Sequence, residues 1–144
     1  MRSSWVCLDA GVLVRVVAFP DYTAAQTLWQ QWIREERQVI APDLLLYEVT
    51  NALYQYQKRG MMTAQAVSAS LGAALVLPIK LFGDAQLHRA ALDIARRYAL
   101  SATYDAHYVA LAERYDAELW TTDQRLVNRC QKNWIKLVGE EAAT

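Results

Sequence analysis

Five short apolar segments alternate with longer stretches of helical periodicity, and this alternation limits the fold of the chain more than any other feature. The segments are four to six residues long, and their sequences are WVCLD, VIAP, IKLF, AELWTT and WIKLV. Strands that are apolar almost throughout are typical of parallel sheets with helices on both faces. The order of elements therefore predicts an α/β fold, with a mostly parallel central sheet sandwiched by helices.

The stretches between these segments have apolar residues at the three- and four-residue spacing of amphipathic helices. In YTAAQTLWQQWIREER, Trp29 and Trp32 fall on one apolar stripe, so we expect both tryptophans in the core. Gly60 follows LLLYEVTNALYQYQKR and is expected to end that helix. Further helices are predicted over residues 63–77, 84–100, 104–115 and 123–130.

Length and charge restrict the class of protein. A chain of 144 residues is about one domain, and we expect residues 1–144 to form it. With 54% hydrophobic and 21% charged residues, the composition is that of a packed globular protein. The 15 basic and 15 acidic residues cancel, so no overall positive field attracts nucleic acid, and any nucleic-acid substrate would have to be held by local contacts.

The first apolar stretch is interrupted by Asp9 and Arg15, so it predicts a buried strand leading into a turn or helix and no membrane span. The two cysteines, Cys7 and Cys130, show no spacing typical of a zinc site or a disulfide framework. A reducing compartment, the cytoplasm, agrees best with this pattern.

Acidic residues stand at the ends of several predicted elements. Asp9 ends the first strand and Asp123 follows the AELWTT strand, so a parallel sheet would bring both to the same rim. Glu48 lies one turn into the helix that follows the second strand. Asp105 begins the helix that leads into AELWTT, and we expect a helix start before a strand at the opposite rim, so topology does not place Asp105 with the others.

Clustered carboxylates would have a definite chemistry. At about 4 Å, two of them repel by on the order of 1 kcal/mol in water and several times more near a protein surface. Mg²⁺ or Mn²⁺, which prefer oxygen ligands, would compensate this repulsion and promote phosphodiester hydrolysis. Each aspartate could equally be a simple helix N-cap, and 15 acids in one chain make such positions common. Spacing alone leaves both interpretations open.

Four motifs in order, VCLDAGVL, EVTNAL, YDAHYVALAERYDAEL and TTDQRL, resemble those of PIN-domain ribonucleases, and most of all the VapC-type toxins of prokaryotic toxin–antitoxin pairs. The resemblance extends over nearly the whole chain. It implies a metal-dependent endoribonuclease whose acidic pocket, formed by Asp9, Glu48, Asp105 and Asp123, binds Mg²⁺ or Mn²⁺. The family fold, a parallel sheet between helices, would bring Asp105 to that pocket.

The resemblance also implies supporting roles for Asn51, three residues after the motif glutamate, and for Thr121, two residues before the last motif aspartate. The sequence departs from the family pattern at one point. The family often has Ser or Thr within two residues of the first aspartate, and this chain has Ala10 and Gly11.

Partners follow from the same resemblance. An antitoxin protein would cover the pocket, and the helices near residues 22–37 and 44–59 have enough apolar surface to receive it. A homodimer is also implied. Arg15 and Arg125 are the arginines nearest in sequence to the acids, and we expect one or both to contact a phosphate of the RNA substrate.

Two alternatives from other classes stay open at this point. A PIN-like binding or scaffolding module without catalysis would have the same fold, although the presence of all four acids argues against it. A phosphotransfer receiver domain shares the α/β order, but it expects paired acids after the first strand, where VCLDAG has one.

The remaining acids and the two histidines have plainer interpretations. Asp43, Asp84 and Asp116 are predicted to be helix caps. His107 is expected to be a surface or interface residue, and His88 has no assigned role.

Overall fold

The computed structural model describes residues 4–139. In this part of the chain, the central sheet has five parallel strands in the order β3-β2-β1-β4-β5. The strands are β1 (Trp5–Leu8), β2 (Gln38–Pro42), β3 (Ile79–Phe82), β4 (Glu118–Thr121) and β5 (Ile135–Leu137). The predicted α/β class is confirmed, and the sheet is parallel throughout.

Helices connect the strands and cover the sheet. They are α1 (Ala10–Ala18), α2 (Thr23–Arg34), α3 (Leu44–Lys58), α4 (Ala64–Val76), α5 (Ala85–Tyr98), α6 (Tyr104–Arg114) and α7 (Gln124–Cys130). Gly60 has a positive φ of 75° just beyond α3, a conformation that glycine adopts without strain, so it ends the helix as predicted.

The core lies between the sheet and the helices. Strand β1 is central, and Val6, Cys7 and Leu8 are fully buried. Trp29 and Trp32 are buried as expected, with exposed fractions of 8% and 1%. Within residues 4–139 no helix is both long and apolar enough to span a membrane.

One of the three predicted caps is confirmed, and two are wrong. Asp84 caps α5 through the Leu87 N–H at 3.1 Å. Asp43 occupies the position before α3, but its backbone is already helical and its side chain makes no capping bond, because the carboxylate is directed against Gly83. Asp116 has φ 50° in the turn between α6 and β4, so it follows a helix instead of starting one.

Candidate active site

The site is built where the strand order changes direction. From β1 the chain proceeds to β2 and β3 on one side of the sheet, and it then returns to place β4 on the other side. Ligands of open α/β sheets gather at the carboxyl ends of the strands at such a switch point. Asp9 directly follows β1, and its N–H donates to the Trp120 carbonyl of β4 at 3.1 Å.

Both rim aspartates cap the helix that follows them. The Asp9 Oδ1 accepts from the Val12 N–H of α1 at 3.0 Å. The Asp123 Oδ1 accepts from the Arg125 N–H of α7 at 2.9 Å. Capping thus fixes each aspartate at the start of its helix, so a capping role and a role in an acidic site are compatible.

Thr121 connects the two aspartates. Its buried hydroxyl donates to the Asp9 Oδ2, and the Thr121 Oγ1 in turn accepts from the Asp123 N–H at 2.9 Å. The Thr122 N–H adds a longer bond of 3.4 Å to the Asp9 Oδ2. The structure therefore holds the ends of β1 and β4 together through one threonine hydroxyl.

The other two acids face the same rim. Glu48, Asp105 and Asp123 line one cleft of about 540 Å³. The position expected from topology for Asp105 was wrong. In this fold, the crossover helix α6 begins at the carboxyl rim and returns to the opposite end, where β4 starts, so the beginning of the helix belongs to the site.

The electrostatics link all four carboxylates through Asp105. The pKa of Asp9 is raised to about 6, because burial and, to a smaller extent, the charge of Asp105 outweigh the hydrogen bonds from Thr121, Val12 and Thr122 that lower it. Burial and the charge of Asp105 also raise the pKa of Glu48. Burial and the charge of Asp123 raise the pKa of Asp105. These carboxylates are close enough to repel one another, which a bound cation would relieve.

The donor set agrees in chemistry with a hard divalent cation, since it consists of carboxylate oxygens with a hydroxyl close by. Over residues 4–139, however, no three His, Cys, Asp or Glu side chains already converge closely enough to hold one metal ion together. The acids thus lie at one rim and repel one another. Their side chains are nevertheless farther apart than the ligands of a single bound metal ion would be.

Tyr108 was missed as a site residue. Its ring is 1% exposed on α6, and its hydroxyl donates to the Glu48 Oε1 at 2.6 Å, which orients that carboxylate. Helical periodicity had placed it with the apolar residues, correctly for its ring. The available signal was the hydroxyl itself, because a buried tyrosine hydroxyl needs a polar partner.

The two arginines predicted near the acids are in different places. Arg125 lines the acidic cleft together with Arg129. Arg15 lines a separate cavity of about 200 Å³, lies over the Tyr22 ring at 5.0 Å and donates to the Gly139 carbonyl at 3.4 Å. The exposed Asn51 lines a groove on α3 outside the acidic cleft.

The Thr122 hydroxyl, just after the end of β4, lies next to Gly11, a position where the family pattern often has Ser or Thr. A side chain at Gly11 would overlap the Thr122 Oγ1, so the absence of one lets this threonine approach α1. The Thr122 N–H also donates to Asp9. Position 11 therefore contributes to the site by its small size.

Comparisons with known proteins agree with this geometry. The family model of the PIN domain matches residues 6–132. Ribonuclease VapC3 from Pyrobaculum aerophilum is 32% identical over 89 residues, which cover 60% of this chain and 67% of that protein. The family resemblance inferred from the four motifs is confirmed.

Solved structures show the same fold. The crystal structure of PAE2754 from Pyrobaculum aerophilum has a TM-score of 0.69 and 26% identity, covering 96% of this chain and 92% of that one. A toxin–antitoxin complex from Klebsiella pneumoniae includes a chain with a TM-score of 0.60 and 14% identity, covering 95% and 98% respectively. At this lower identity, the likeness concerns the fold alone.

Proposed function

The chain belongs to the PIN-domain family, and from this premise we propose that it is a metal-dependent endoribonuclease, the toxin of a toxin–antitoxin pair. The observation that carries the proposal is that Glu48, Asp105 and Asp123 line one cleft at the switch point of the sheet, next to Asp9 at the end of β1. The raised pKa values of Asp9, Glu48 and Asp105 agree with this crowding of negative charge. The name of the 32% identical relative, a ribonuclease, supports RNA as the substrate.

In this proposal, Asp9, Glu48, Asp105 and Asp123 hold Mg²⁺ or Mn²⁺. When bound, such an ion lowers the pKa of a water molecule and offsets the negative charge that grows on the phosphate during in-line attack. Bound among these four residues, such an ion would also offset the mutual repulsion of their carboxylates.

The protein's own side chains prepare this site. Tyr108 and Thr121 orient the carboxylates of Glu48 and Asp9 through hydroxyl donors. Arg125 and Arg129 line the other side of the cleft and supply positive charge for the RNA phosphates. Arg125 thus remains our proposed phosphate contact, and Arg15 could act only through its separate cavity.

An antitoxin partner is part of the proposal. Ile33 of α2 and Tyr47 and Tyr54 of α3 are large apolar side chains with more than half of their surface exposed. They lie on the two helices that we predicted to receive a partner. The Klebsiella pneumoniae chain of the same fold belongs to a toxin–antitoxin complex, which supports such a partner. Homodimerisation, action in the cytoplasm and a supporting role for Asn51 stay predictions.

A cleavage assay on total RNA tests the proposal. We expect cleavage with Mn²⁺, none with EDTA, and none by the Asp9→Asn, Asp105→Asn double variant. Asp93→Asn is the matched control, because Asp93 is an exposed acid on α5 that pairs with Arg96 away from the cleft. Residual metal-dependent cleavage by the purified double variant would refute the assignment of the acids. A wild-type protein that cleaves no RNA under any metal would favour the scaffolding alternative.

A further inference from the structure

A second pocket adjoins the acidic cleft, and the function proposed above does not use it. It has a volume of about 320 Å³, within the range of small-molecule pockets. Its lining includes Asp43, Tyr47, His88, Tyr104 and His107, and we call it the histidine pocket. Tyr104 lines both this pocket and the acidic cleft, so the two are adjacent.

Aromatic side chains border the histidine pocket in an arrangement suited to a planar ligand. Tyr104 is 63% exposed and Tyr47 is 76% exposed, although both are large apolar residues. Stacking of a nucleobase on an exposed aromatic ring is a common way to bind single-stranded RNA. Because Tyr104 reaches the cleft that holds the acids, a base stacked on it would belong to a nucleotide close to the phosphate that is cleaved.

The hydrogen bonds of the two histidines fix their tautomers. The His107 Nδ1 lies 2.7 Å from the Thr103 carbonyl, which only accepts, so the His107 Nδ1 must carry a proton. In a neutral ring the His107 Nε2 is then an acceptor, and it lies 2.9 Å from the His88 Nδ1. The His88 Nδ1 therefore donates, which leaves the His88 Nε2 as a hydrogen-bond acceptor.

Asp43 adds a second acceptor. Its carboxylate makes no capping bond to α3 and is directed against Gly83, where the absence of a side chain leaves room for it. A carboxylate and an imidazole acceptor both favour ligand groups that donate hydrogen bonds. Among the RNA bases, guanine presents a ring N–H and an exocyclic amino group side by side, whereas uracil has a single ring N–H between two carbonyl oxygens.

We propose that the histidine pocket binds one base of the RNA substrate, stacked on Tyr104, and prefers guanine because its two neighbouring donors match the Asp43 carboxylate. This proposal rests on the endoribonuclease function and specifies the substrate further. It makes Asp43 and Tyr104 determinants of the cleavage sequence.

Nuclear magnetic resonance offers a direct test. The chain has two histidines and both line this pocket, so in a protein without a histidine tag every imidazole signal reports on it. We expect guanosine monophosphate, added in EDTA, to shift the ring signals of His88 and His107. Inosine monophosphate differs only by lacking the amino group and should bind at least about fivefold more weakly, the effect of losing one specific base contact.

Two variants and one control complete the test. Asp43→Asn should abolish the difference between the two nucleotides while Tyr104→Ala weakens both, and Leu75→Ala, at an exposed position on α4 outside this pocket, should change neither. Equal binding of the two nucleotides by the wild type, or an unchanged preference in Asp43→Asn, would overturn the proposal. So would imidazole signals that respond to protein concentration and to no nucleotide, which would assign the pocket to a second copy of the chain.

The cleavage assay and the nuclear magnetic resonance titration together separate this inference from the proposed function. A protein that cleaves RNA with no dependence on a guanosine near the cut refutes the base pocket alone. A protein that cleaves nothing, but whose histidine signals distinguish the two nucleotides, refutes the nuclease and retains the pocket.

Discussion

Replacing Asp9 by asparagine should stabilise the metal-free protein near neutral pH, although it should abolish activity. The pKa of Asp9 rises from 3.8 to about 6, chiefly because the carboxyl is buried. At ~1.4 kcal/mol for each pKa unit, keeping this group ionised at pH 7 costs on the order of 3 kcal/mol of folding free energy. Asparagine removes that cost and retains an acceptor for the Val12 N–H, but it loses the acceptor for Thr121, at about 1 kcal/mol.

The expected net effect is a free energy of unfolding about 2 kcal/mol higher for Asp9→Asn at pH 7.5. The sign follows from the raised pKa: the folded state holds its proton more tightly, so wild-type stability is full below about pH 4 and is lost as the pH rises through about 6. The advantage of the variant should therefore disappear at pH 4.

Urea denaturation in EDTA at the two pH values measures this difference. Added Mn²⁺ should then raise the stability of the wild type more than that of the variant, since the ion binds only the folded site. An Asp9→Asn protein that is destabilised equally at pH 7.5 and pH 4 would refute the claim that burial penalises this charge. Glu48→Gln is a useful companion, because the pKa of Glu48 is also raised by burial.

Further variants test the other contacts of the site. Tyr108→Phe removes the donor to Glu48 and should lower the free energy of unfolding by about 1–2 kcal/mol and slow cleavage, as measured by denaturation and initial rates. Gly11→Ala should cost about 1–3 kcal/mol by overlap with Thr122, and a second substitution, Thr122→Gly, should recover part of that loss in a double-mutant cycle. Arg125→Gln should raise the RNA concentration needed for half-maximal cleavage and flatten its salt dependence, and unchanged kinetics would remove Arg125 from the site.

The sequence was sufficient to place Asp9 and Asp123, because two short apolar runs in a parallel sheet must end at the same rim. It was insufficient for Asp105, for which we expected the opposite rim. A crossover helix runs antiparallel to the strands that it connects, so its first residues lie beside the strand ends and its last residues lead into the next strand. The structure, in which Asp105 and Asp123 line one cleft, corrects this error.

Other contacts join residues that are distant in sequence, and no local sequence pattern predicts them. Periodicity classed Tyr108 by its ring, and only the fold shows that its hydroxyl meets a carboxylate 60 residues earlier in the chain. Proximity in sequence suggested Arg15, but α1 carries that side chain toward Tyr22 and Gly139. Gly11 was noticed for the hydroxyl that it lacks, whereas its importance is the space it leaves for Thr122.

The single threonine oxygen between two adjacent strand ends has a consequence for dynamics. Because Thr121 is the fully buried last residue of β4 and pairs with Leu137 of β5, the spacing of Asp9 and Asp123 is set by the sheet and not by the loops. Amide protons at this point should exchange with solvent only when the whole domain opens. A nuclease with this arrangement would lose activity when the whole domain unfolds or when a bound partner covers the acidic cleft. Local unfolding of its surface loops would have little effect.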